Sequence, residues 1–283
     1  MPPLHFWVGD LRLGKSNLGE ARFESYPTAA GMHVEQLDTR SPSVQLRASG
    51  DWVGNAAASR SGFTLDFYAD DLGKMLDAFG YAGVFSGGET QAHIVAGWPG
   101  APTAFDLARL DGVLKIAVKN GRIPEVSPGV GRLFGLFSVR ELPRRLTLDF
   151  GDIFRQGFSF NTIDGEVTFK DGSAWTQGLQ IKGPAADITV SGRTGLKARD
   201  YDQTVVVIPH VGGTLPVVGA IAGGPVGAAA GLAVQGLLGK GLNKAAAARY
   251  HIGGSWEKPQ ITLVAKGAEV KPEEKPSVNK NVP

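Results

Sequence analysis

Apolar and polar residues alternate with period two along most of the chain. Leu11-Arg12-Leu13, Val44-Gln45-Leu46-Arg47-Ala48 and Phe63-Thr64-Leu65-Asp66-Phe67 set their apolar side chains on one face only. Leu146-Thr147-Leu148-Asp149-Phe150, Phe158-Ser159-Phe160, Val167-Thr168-Phe169 and Ile188-Thr189-Val190 repeat the pattern. Successive side chains of a strand point to opposite faces, so these runs predict half-buried antiparallel strands, dry on one side and wet on the other. Turn signals stand between and beside them: Asp111-Gly112, Asn120-Gly121, Asp164-Gly165, Asp171-Gly172 and Gly253-Gly254. Roughly a dozen short strands at the 8–12-residue spacing of all-β folds are expected.

A weaker repeat lies beneath the alternation. Ala48-Ser49-Gly50-Asp51-Trp52, Val95-Ala96-Gly97-Trp98-Pro99 and Gly253-Gly254-Ser255-Trp256 each end a strand in glycine followed closely by tryptophan. Strand–turn–strand units that cannot bury a face alone predict a stacked, elongated sheet. The expected fold is therefore mainly β: an elongated antiparallel sheet, repeat-like, with a few helices.

Three stretches leave this rhythm. Residues 70–80 open with Asp70 and Asp71 and place Leu72, Met75, Leu76 and Phe79 on one helical face. Residues 129–142 follow Pro128 and place Val130, Leu133, Phe134, Phe137 and Leu142 on another. From Gln203 to Gly239 there is no Asp, Glu, Lys or Arg. This stretch is long enough to cross a bilayer by count, but Gly223-Gly224-Pro225 breaks it in the middle. An apolar Gly/Ala-rich helical hairpin over 210–250 is expected, its second helix running from Pro225 to about Tyr250. It would be interfacial, buried as a plug, or membrane-spanning. Its membrane-contact candidates are Leu215, Val217, Val218, Ile221, Leu232, Val234, Leu237 and Leu238. The organisation reads as a repetitive sheet over 1–209, the hairpin, closing strands over 251–266, and a polar, Pro-rich disordered tail over 267–283.

Composition narrows the function classes. The 283 residues are 42% hydrophobic and 20% charged, the balance of a folded chain. The net charge of +2 gives no electrostatic case for a nucleic-acid partner. The absence of cysteine removes disulfides, thiolate metal sites and cysteine nucleophiles together. The first ten residues lack the basic and apolar regions of a signal peptide. Arg132, Arg140, Arg144, Arg145 and Arg155 form a basic run, read as a solvated helix face or a contact to anionic headgroups.

Candidate chemistry is sparse. Gly9-Asp10-Leu11-Arg12-Leu13-Gly14-Lys15-Ser16 satisfies the P-loop expression, which needs a helix N-terminus to cradle phosphate. Its inner residues alternate like a strand, and a hairpin turn over Gly14–Asn17 is expected instead, with no nucleotide bound. The five histidines, His5, His33, His93, His210 and His251, are scattered without metal-ligand spacing. There is no nucleophile elbow and no zinc-protease helix. No enzyme, cofactor or metal is expected.

Longer stretches carry a resemblance. ADDLGKMLDAFGY (69–81), WPGAPTAFDLARLDGVLKIAVKNGRI (98–123) and GVGRLFGLFSVRELPRRLTLDFGDIFRQGFSFNTIDGEVTFKDG (129–172) resemble the C-terminal end of YhdP-type proteins of the AsmA-like superfamily. The likeness continues through 183–209, 215–240 and 248–263, whereas residues 1–61 fit the strand pattern more loosely. Such proteins belong to the Gram-negative envelope, anchored in the inner membrane and crossing the periplasm as a grooved β structure. The resemblance implies a non-catalytic carrier of phospholipid between inner and outer membranes, this chain lacking the anchor and most of the β length. Implied partners are phospholipid acyl chains, a membrane surface, and outer-membrane or periplasmic proteins. Alternation and resemblance together nominate Phe63, Leu65, Phe67, Leu146, Leu148, Phe150, Phe158, Phe160, Val167 and Phe169 as groove lining. The rival reading is a structural or interaction β-solenoid segment for envelope assembly, its apolar face filled by protein. An enzyme acting on lipid is a third and weaker reading.

Overall fold

The alternating runs become the strands of one sheet. The computed structural model describes residues 2–13, 16–55, 58–78, 82–124, 157–210, 247–267 and 270. Within them, thirteen strands hydrogen-bond in sequence order, each antiparallel to the next. They are β1 (Leu4–Leu13), β2 (Ser16–Thr28), β3 (Gly31–Arg40), β4 (Val44–Gly54), β5 (Ser59–Ala69), β6 (Ser86–Pro99) and β7 (Asp111–Ile123). The sheet continues through β8 (Phe158–Lys170), β9 (Ser173–Lys182), β10 (Ala186–Gly195), β11 (Asp200–Pro209), β12 (Ala248–Ser255) and β13 (Pro259–Lys266). One helix, α1 (Leu72–Ala78), lies between β5 and β6. Asp71 caps it, its carboxylate accepting from the Lys74 N–H at 2.9 Å, as the acidic start predicts.

Strict up-and-down order sorts the connections. Those leaving odd-numbered strands emerge at one end of the sheet, the helix end, which carries α1. Residues 125–156, between β7 and β8, and 211–246, between β11 and β12, begin and finish at this same end. Even-numbered strands turn back at the opposite, loop end, where the β6–β7 connection holds two short 3-10 turns, Pro102–Ala104 and Leu107–Arg109.

The core is a row of side chains crossing the sheet near the helix end. Val44, Ala69, Thr90, Val118, Ile163, Ile181, Ile188, Val207 and Ala248 are consecutive register partners on β4 to β12. Each is at most 6% exposed. Leu72, Met75 and Leu76 of α1 pack against the main core, and Met75 also reaches the smaller cluster of Leu18, Val44 and Ala69. Burying a Val or Ile side chain contributes about 1.5–3 kcal/mol, so this row is a principal source of stability.

The other face is charged. Arg22, Asp38, Arg47, Asp66, His93, Lys115 and Glu166 are register neighbours on β2 to β8 and nearly alternate in sign. His93 meets Asp66 at 2.7 Å, Arg47 meets Asp38 at 3.6 Å, and Lys115 meets Glu166 at 3.9 Å. A one-residue slip would turn this ladder inward, so it fixes register as well as solubility.

Several turn signals mark something else. Asp171-Gly172 is a two-residue hairpin turn with both φ positive, 52° and 71°. Asp111-Gly112 opens β7, Asn120-Gly121 lies inside it, Asp164-Gly165 lies inside β8, and Gly253-Gly254 lies inside β12. Asn120, at φ 54°, interrupts the alternation, and Gly165 admits Leu179, whose Cα and Cβ would stand 3.0 Å from an added Cβ. Residues 248–250, expected at the end of the second helix of the hairpin, are not helical. Ala248, Arg249 and Tyr250 are strand, because Ala248, Tyr250 and Ile252 alternate into the core. The remainder of 211–246, the expected helix over 129–142, Phe79 and nearly all of the tail lie outside the described residues.

Candidate functional site

Towards the loop end of the core row the apolar face opens. Phe6, Phe23, Leu37, Ala48, Leu65, Ile94, Leu114 and Val167 form a second row on β1 to β8, register partner to register partner. Ala48 is buried and Phe6 is 54% exposed, and the other six are half-buried. Beside them Leu46, Phe67, Ala92, Ile116 and Gly165 make a further half-buried row on β4 to β8. Eight strands at about 4.8 Å spacing give the band a length of roughly 34 Å.

The band has closed sides. Towards the helix end stand the core row and α1. Towards the loop end, Trp98 and Leu110 are 7% and 4% exposed, packed with Phe63, Ile94 and Phe169. Past β8 the row turns polar: Val167 is followed by Thr176, Gly192 and Gln203. What remains over β5 to β8 is an apolar strip, walled on both long sides, with water on its open face. Such a surface binds by excluding water from methylene groups, about 0.8 kcal/mol for each buried CH2, and requires no polar partner.

The nominated residues separate accordingly. Phe63, Leu65, Phe67, Val167 and Phe169 are half-buried along the strip or its loop-end wall. Phe158 and Phe160 are each 2% exposed and belong to the core, with Phe85 edge-on to Phe160 at 6.1 Å. Leu146, Leu148 and Phe150 lie outside the described residues, as do all eight membrane-contact candidates from Leu215 to Leu238. Sequence reasoning missed Ile94, Leu114 and Ile116, although Leu114-Lys115-Ile116 carries the same alternation as the nominated runs.

Polar chemistry on the other face is self-contained. Asp66, His93, Lys115 and Glu166, with Tyr68 and Gln91, line a shallow cavity of about 590 Å³. Its His93–Asp66 and Lys115–Glu166 pairs already satisfy one another. His33 and Asp51 repeat the arrangement at 2.7 Å. Among the described residues no three His, Asp or Glu side chains gather where they could hold a metal ion. In the P-loop-like stretch, Leu13 pairs with Ser16 and Ser16 opens β2, so a strand stands where phosphate binding needs a helix. Among the described residues, no helix is long and apolar enough to cross a membrane.

Comparison with known proteins identifies the lineage of this surface. The family described as YhdP protein matches residues 1–261. The chain belongs to the YhdP family. The matched span begins at residue 1 and so includes the first 61 residues. A relative in Escherichia coli (strain K12), described as intermembrane phospholipid transporter YhdP, is 32% identical over 221 residues. That alignment covers 78% of this chain and 18% of the relative, which its description names a phospholipid transporter. No solved structure matches this YhdP-family chain.

Proposed function

We propose that the apolar strip is a lipid-carrying groove, part of the path by which phospholipid moves between inner and outer membranes. The observation that carries this reading is the half-buried double row on β4 to β8, walled by buried side chains and lacking polar groups of its own. The family adds lipid as cargo, since the relative's description names phospholipid transport. In this reading acyl chains lie against Leu65, Phe67, Ile94, Leu114, Ile116 and Val167. Phe158 and Phe160 belong to the packed core behind the helix-end wall, and the headgroup remains in water. Sheet curvature gathers the strip into a trough. The protein works in the cell envelope, and the apolar stretch between β11 and β12 meets a membrane surface, which liposome flotation reports.

The rival reading, an interaction segment without lipid, draws on one observation: from β8 to β12 the face is already filled by protein. Mass spectrometry of organic extracts separates the two. The purified chain should carry phospholipid, and Phe67→Asp should strip it, because a carboxylate in the strip must remain hydrated. A folded wild-type chain free of phospholipid would transfer the case to the interaction reading.

A further inference from the structure

One row crosses the whole sheet and turns polar only in passing. It is apolar from Phe6 on β1 to Val167 on β8. On β9, β10 and β11 it reads Thr176, Gly192 and Gln203, and on β12 and β13 it is apolar again, with Ile252 and Ile261. The interruption is not a solvated edge. Thr176 and Gly192 are half-buried, and Gln203 is 4% exposed. On the helix side of this stretch Leu179 and Val190 belong to the core.

The polar groups are tied to one another. Thr176 Oγ1 donates to the Gly192 carbonyl at 3.3 Å, and Gln203 Nε2 donates to Thr194 Oγ1 at 2.7 Å. Gln203 Oε1 is buried and accepts from no described residue. An apolar side chain of like volume would avoid the cost of burying that oxygen, so packing alone does not account for the amide. The backbone changes at the same place. Gln177 and Gly178 of β9 together face Ser191 of β10, a bulge with Gly178 at φ 73° and its N–H donating to Ser191 Oγ at 3.1 Å. Bulges bend the strand that carries them. The strip therefore runs into a bend and a hydrogen-bonded barrier together.

We propose that Thr176 and Gln203 are the stop of the groove, positioning residues that hold acyl chains on the strip ending at β8 and keep them out of the packed face beyond. The inference rests on the lipid-carrier reading and adds to it where the path ends. An acyl chain can slide beneath a packed apolar side chain at little cost, because one hydrocarbon contact replaces another. To pass Gln203 it must break the bond to Thr194 and leave an amide and a hydroxyl unpaired against hydrocarbon. Ile252 and Ile261, apolar but behind this barrier, are thereby reserved for the core. Phospholipid moving along the strip leaves it at β8.

The test maps how far lipid reaches. The full chain, with a photo-crosslinking amino acid at Leu65 or at Ile261, is incubated with vesicles of phosphatidylethanolamine and phosphatidylglycerol, and captured phospholipid is read by mass spectrometry. In the wild-type background Leu65 should capture lipid and Ile261 should not. With Thr176→Val and Gln203→Leu together, capture at Ile261 should rise about tenfold, while the urea midpoint stays at or above that of the wild type because the buried amide is gone. Thr176→Ser keeps the hydroxyl and should leave Ile261 at background. Capture at Ile261 matching Leu65 in the wild type would overturn the stop, and so would background capture in the folded double variant. Should the double variant unfold, Thr176→Val at its half-buried site decides: capture at Ile261 above background upholds the stop, and background capture overturns it. Absence of capture at Leu65 in the wild type would remove the groove and the stop together.

Discussion

Arg193 forks onto Asp200 across the β10–β11 hairpin with two hydrogen bonds of 2.8 and 2.9 Å. The hydrogen bonds from Arg193 hold the Asp200 carboxyl below its ordinary range; burial opposes them in part, and the guanidinium charge adds a lesser pull in the same direction as the bonds. A carboxylate depressed in the folded state stabilises the fold above its unfolded pKa, and that contribution is lost as pH falls through the folded value. The pair is partly open to water, so screening limits its worth to about 1 kcal/mol. Asp200→Asn should therefore lower stability by about that amount at neutral pH, and the deficit should shrink below about pH 4. Urea midpoints across that range measure it, and a deficit independent of pH would assign the loss to packing. At this scale alternation made the faces legible, placing Phe63, Leu65 and Phe67 on one side because neighbouring Thr64 and Asp66 must take the other. It could not distinguish Phe67, half-buried in the strip, from Phe160, sealed beside Phe85 from a distant part of the chain.

Strands and α1 were more legible than the turns between them. The tryptophan repeat has a simple origin: Trp52, Trp98 and Trp256 lie at or just beyond the ends of β4, β6 and β12, all even-numbered strands that finish at the loop end. There Trp98 stacks on Phe63 and Trp256 on Tyr201, so recurrence in sequence reflects one sheet margin visited repeatedly. Glycine after Asp or Asn was ambiguous, because a tight turn and a close approach between strands both demand a missing Cβ. The same scale separates core rows from open rows. Ile181, 1% exposed, should cost about 3 kcal/mol on truncation to alanine, within the range for a buried Ile. Leu114→Ala in the half-buried strip should cost less than half as much, since part of its surface is already in water. Denaturant unfolding of the two variants measures the contrast. Equal losses would mean that the strip is packed by protein and not available to lipid.

For the whole molecule, sequence spoke to class and lineage but not to extent. The strip reaches from β1 to β8 only because registers align Phe6, Phe23, Leu37, Ala48, Leu65, Ile94, Leu114 and Val167 across the sheet. Irregular pairing between β1 and β2, β2 and β3, and β3 and β4 keeps those rows in phase, and no local pattern announces where such adjustments fall. The polar continuation through Thr176 and Gln203 likewise depends on partners far apart in the chain. The central claim is that the apolar face carries lipid while the charged face does not. A photo-crosslinking amino acid placed in cells at Leu65 or Phe67, and separately at Thr64 or Asp66, tests that most directly. Phospholipid should be captured from the first pair of positions and not from the second, one residue away on the opposite face. Equal capture at both pairs, or none at either with the protein folded, would contradict the account.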